Sequence, residues 1–98
     1  MVLPLYSTDG RYRDELDGDT IFAADGAFIG FVQNGSVYAR TGTYVGELEG
    51  DMVLRKHVTR SNQVGRVHTS KTVMPRINRV GSTTVWDDAF DDLEQHGR

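Results

Sequence analysis

Apolar and glycine positions return every sixteen residues along the first two-thirds of the chain, with no gap in the register. Leu5, Ile21, Val37 and Val53 form one column, Tyr6, Phe22, Tyr38 and Leu54 the next, and Gly10, Gly26 and Gly42 a third. Tyr12, Phe28 and Tyr44 make a fourth column, and Leu16, Val32, Leu48 and Val64 another. A unit this short holds two brief strands at most, and a lone hairpin is not stable in water, so the units must pool their apolar rows into one interior.

The turn chemistry fits that reading. Asp25-Gly26 separates Ile21 to Ala24 from Ala27 to Val32, and Asn34-Gly35 separates the latter from Ser36 to Ala39. Both dipeptides accept the positive φ that tight hairpin turns require. Alternation along the second strand of a unit places Phe28, Gly30 and Val32 on one face, and Tyr44, Gly46 and Leu48 on the equivalent face of the next unit. Asp14 takes the glycine position in the first unit, which implies that this unit lies at an edge or faces solvent there. The fourth unit has Val58 in place of the turn glycine and Arg60 in place of the aromatic, so it is degenerate or closed differently.

These residues resemble the four-fold β-flower proteins, small bacterial domains whose hairpin repeats read aromatic, turn glycine, apolar, glycine. Leu5-Tyr6, Ile21-Phe22 with Gly26 and Ile29-Gly30, and Val37-Tyr38 with Gly42 and Val45-Gly46 carry the likeness. So does the tryptophan-bearing tail Ser82-Thr83-Thr84-Val85-Trp86-Asp87-Asp88. The resemblance implies an all-β fold of short hairpins around a pseudo-four-fold axis and implies no particular activity. Residues 1–68 read as the repeat domain, and residues 69–98 as a basic-then-acidic extension ending in a short helix or docked tail.

At 98 residues the chain has material for one modest core. With no cysteine there is no disulfide, no thiol nucleophile and no thiolate ligand. Residues 1–6 lack the basic leader and apolar run of a secretory signal, and no stretch is long and apolar enough to span a bilayer, so the expectation is a soluble, cytoplasmic chain with no membrane partner. Charge is strongly segregated. Residues 1–54 hold nine acids and three bases, residues 55–81 hold seven bases and no acid, and residues 82–98 hold five acids and one base. A basic stretch between acidic ones either meets an external polyanion or is neutralised by its neighbours.

Candidate sites follow from these patterns. Asp17 with Asp19, and Glu49 with Asp51, sit at turns without the further oxygens a calcium site needs. His57, His68 and His96 lack close ligand spacing, so no metal or other cofactor is expected. No nucleophile motif or phosphate loop occurs, and the chain reads as a non-enzyme. Arg66, Lys71, Arg76 and Arg79 are the candidate anion-binding residues, and a nucleic-acid-associated protein using residues 55–81 is the alternative reading. Trp86, Phe90 and Leu93 fall at i, i+4 and i+7, one face of a short helix that Thr84 could cap. Too short to be helical alone, this tail must dock on its own sheet, a second copy or a protein partner. The function expected is an interaction or scaffold module.

Overall fold

The structure, a computed structural model, describes residues 2–58 and 60–98. Seven strands follow one another as an antiparallel meander: β1 (Val2–Tyr6), β2 (Tyr12–Asp17), β3 (Thr20–Ala23), β4 (Phe28–Gln33), β5 (Ser36–Ala39), β6 (Tyr44–Glu49) and β7 (Met52–Arg55). After a long extended segment come β8 (Asp87–Asp88), paired with β7, and helix α1 (Phe90–Gly97). The architecture is all-β with one short terminal helix, as the repeat and the resemblance imply. Among the described residues no helix is long and apolar enough to cross a membrane.

The first three hairpins, here called petals, are copies of one another down to their irregularities. In each, a turn bond runs from the column glycine back three residues: Gly10 N to Ser7 O, Gly26 N to Ala23 O and Gly42 N to Ala39 O, at 2.8–2.9 Å. These glycines hold φ near +90°, which an L side chain rarely adopts. Between petals, Asn34-Gly35 has positive φ at both residues, as a type I′ turn requires. Each petal carries a bulge beside its turn, opposite Leu5/Tyr6, Ile21/Phe22 and Val37/Tyr38. Phe22 opposes Phe28 and Ile21 opposes Gly30, leaving Ile29 as the extra residue. The bulge breaks the simple alternation expected for Phe28, Gly30 and Val32: Ile29 and Val45 turn into the core while Phe28 packs on Phe22 on the other side.

Two apolar layers result. On the inner side the column residues Leu5, Ile21, Val37 and Val53, one per petal, are all fully buried at the hub. On the outer side each petal carries one edge-to-face aromatic pair: Tyr6 with Tyr12, Phe22 with Phe28, and Tyr38 with Tyr44, with centroids 6.1, 6.4 and 5.8 Å apart.

The fourth petal is closed differently. Its second strand is supplied from the far end of the chain by Asp87–Asp88, and Ala89 N donates to Val53 O at 2.9 Å. Asp88 also accepts hydrogen bonds from Thr8 N and Thr8 Oγ1, each at 2.9 Å, tying the fourth petal to the first turn. Tyr6 N donates to Asp51 O at 2.8 Å, so the sheet curls until its first and seventh strands meet.

Helix α1 plugs the hub. Phe90 and Leu93 are buried there, and a Cβ placed on Gly30 would lie 2.8 Å from Leu93 Cδ1, one on Gly46 3.1 Å from Ala89 Cβ. The two glycines are thus the seat of the helix. Arg40 Nε donates to Gly97 O at 2.6 Å and satisfies a carbonyl of the last turn. The helix begins later than the spacing suggested. Ala89 is its N-cap, Thr84 Oγ1 instead accepts a bond from Trp86 N, and Trp86 precedes β8, half-buried beside the His57 ring.

Candidate functional site

Two features depart from a plain barrel of petals: a strap across the outer face and a cleft on the inner one. The strap, residues 60–86, lies between β7 and β8 and has no strand pairing of its own. It visits the turn glycines in reverse order. Gln63 N donates to Gly42 O at 2.8 Å, Lys71 N to Gly26 O at 3.0 Å and Arg79 N to Gly10 O at 2.8 Å, a step of eight residues per petal. Asn62 Oδ1 accepts from Tyr44 N and Asn78 Oδ1 from Tyr12 N, at 2.9 and 2.8 Å. Two such steps make the sixteen-residue period, which the sequence carries into the strap as Asn62-Gln63-Val64-Gly65 and Asn78-Arg79-Val80-Gly81.

The strap's side chains divide by chemistry. Each of the seven cations between residues 55 and 81 ends on a carboxylate of the petals or of α1. Arg55 meets Asp92, Lys56 Glu49, Arg60 Glu47, and Arg66 Asp19. Lys71 bridges Glu15 and Asp17 at 2.7 and 2.9 Å, Arg76 reaches Glu15 at 3.5 Å, and Arg79 binds Asp51 through two nitrogens. Arg66, Lys71 and Arg79 also lie over the rings of Phe31, Phe22 and Tyr6, at 4.0, 5.2 and 5.1 Å. Hydrogen bonds from Lys71 and from Arg66 hold the carboxyls of Asp17 and Asp19 below the usual range. Burial, then the hydrogen bond to Glu47, pushes the Tyr44 phenol up to about 12. The four candidate anion-binding residues thus share one line along the strap, each with an internal partner. His68 packs against Phe22 and Phe28, far in role from His57 on Trp86.

The strap's apolar side chains face the other way. Val64, Val67, Met74, Ile77, Val80 and Val85 are exposed, from 67 % at Met74 to 99 % at Val67. Of the candidate interaction residues, Phe90 and Leu93 are buried against their own chain, and Trp86 alone keeps part of its ring accessible.

The cleft lies where the first petal breaks the repeat. The positions of Ile29-Gly30 and Val45-Gly46 are held here by Arg13-Asp14. Asp14 opposes Leu5 on one side and Ala23 on the other and is only 5 % exposed, so the expectation that it faces solvent is corrected: it points inward, where the glycines of its sister petals meet α1. It lines a cleft of about 400 Å³ with Arg13, Ala23, Ala24, Asp25, Glu94 and Arg98. Arg13 crosses the Phe90 ring at 5.2 Å and pairs with Asp91 at 3.0 Å, while Arg98 pairs with Asp25 at 3.0 Å and with Glu94. Burial, followed by repulsion from Glu94, raises the Asp14 carboxyl to about 7.

A family model described as 4-fold beta flower protein matches residues 3–83. Comparison with curated proteins and with solved structures gives no match.

Proposed function

The chain belongs to the 4-fold beta flower family, and from that premise we propose that it is a non-enzymatic interaction module which pairs with a second copy of itself through the outer face of the strap. One observation carries the reading: the strap is inverted, its cations turned onto the petals and its aliphatic side chains turned to solvent. Soluble monomers seldom leave such a row uncovered. Six aliphatic residues this exposed present several hundred Å², the order of the ~800 Å² that each partner buries in a standard interface. An uncharged row of this kind is complementary to itself, and a two-fold pairing covers the same row on both copies.

The neutralised basic stretch supports this reading over a nucleic-acid one, because phosphate would have to displace carboxylates already in place. Sedimentation of the full chain against V67D/I77D tests the proposal. The wild-type chain should sediment as a dimer at about 100 µM and the variant as a monomer with an unchanged far-UV spectrum, a concentration at which a Kd of ~10 µM is readily seen. A monomeric wild type overturns it. Labelled single-stranded DNA or RNA at low salt tests the alternative, which needs a shift abolished when Arg66, Lys71, Arg76 and Arg79 become Ser.

A further inference from the structure

We propose that the cleft between the first two petals and α1 is a binding site for a small organic cation, a primary ammonium compound whose charged group pairs with Asp14. The proposal is independent of the strap, which covers the opposite face of the sheet.

The repeat makes Asp14 conspicuous. Two sister petals place glycine at this position, and α1 fills the space above each with Leu93 or Ala89. Over the first petal the helix supplies no such plug, and a cleft of about 400 Å³ remains, large enough for a small ligand. Its inner wall is a carboxyl, 5 % exposed, that makes no hydrogen bond or ion pair with a described residue. An ionisable group in that state costs stability, and a local rule broken without structural compensation marks a functional position.

The surroundings select the ligand's charge. Both guanidiniums at the cleft are already committed, Arg13 to Asp91 and Arg98 to Asp25 and Glu94, so no free cation waits for an anion. Asp14 is the group without a partner, and it asks for a donor or a positive charge. Among the described residues no three ligating side chains come together for a metal ion. A primary ammonium is compact, brings three donors, and can carry a short apolar stem along Ala23. Its binding draws Asp14 into the ionised form, so affinity and proton release are linked.

The test is a titration of the ¹⁵N-labelled full chain with butylammonium chloride, with butanol as the uncharged probe. Saturable shifts should appear at Asp14, Ala23, Asp25 and Glu94, with a Kd on the order of 1 mM. Because Asp14 titrates near 7, affinity should rise roughly tenfold from pH 6 to pH 8. Asp14→Asn and, as a second variant carrying the residue of the sister petals, Asp14→Gly should each lose the saturable response. Equal binding by both variants, equal shifts with butanol, or no saturation by about 50 mM butylammonium at pH 8 overturns the proposal.

Discussion

Replacing Asp14 by Asn should remove a loss of stability that this protein suffers as pH rises from weakly acid to neutral. The buried carboxyl is raised from 3.8 to about 7 in the folded chain and returns to the ordinary value on unfolding. Below about pH 4 both states hold the proton and Asp14 contributes nothing. As pH rises from about 4 to 7 the unfolded chain releases the proton while the folded one keeps it, so the unfolded state is favoured progressively. About three pKa units at ~1.4 kcal/mol each make the loss on the order of 4 kcal/mol above pH 7. That is a large share of the 5–15 kcal/mol typical of a domain. Asn is a neutral near-isostere, so D14N escapes the loss. Urea melts of both chains at pH 4.5, 6, 7 and 8 would show midpoints converging at the acid end, with the variant several kcal/mol more stable at the basic end. All other side chains are common to both chains, so their contributions cancel in the difference. Parallel profiles, separated by less than ~0.5 kcal/mol throughout, would refute the burial argument.

Gly26→Ala and Gly35→Ala both place a side chain at positive φ, costing ~1 kcal/mol each, but only at Gly26 does the new Cβ collide with the strap, at the carbonyl of Lys71. Gly26→Ala should therefore lose a further ~1–2 kcal/mol with the Lys71 N to Gly26 O bond, read as a lower urea midpoint than for Gly35→Ala. Leu93→Ala leaves a cavity at the hub and should cost 2–5 kcal/mol, measured in the same melts. The carboxyls of Asp17 and Asp19, lowered by Lys71 and Arg66, contribute stability above their unfolded pKa that is lost as pH falls through the lower folded values. Amide exchange at Lys71 and Arg66 should accordingly rise below about pH 4 before that of the hub strands, and simultaneous loss of protection in both would contradict it.

The petals were legible because everything that makes them is local. Turn glycines at a fixed offset, β-branched and aromatic neighbours, and Asn34-Gly35 act within a few residues, and their repetition exposes the pattern. The bulges were not, since the extra residue looks identical in sequence to an ordinary strand position. The tail's apolar spacing is legible, but Trp86 stands outside a helix that starts at Phe90, because β7 offers an unpaired edge and captures Asp87–Asp88 first.

By itself the sequence determined three equivalent hairpins, the positions of their tight turns, an apolar hub with one residue per petal, and the segregation of charge along the chain. Only the tertiary structure decided how the fourth petal closes, which carboxylate meets each strap cation, and that Asp14 lies inside a cleft. The first set is written in the torsional and packing preferences of neighbouring residues. The second depends on which distant segments come to share a surface once the ring has curled, and no residue's own preference specifies that.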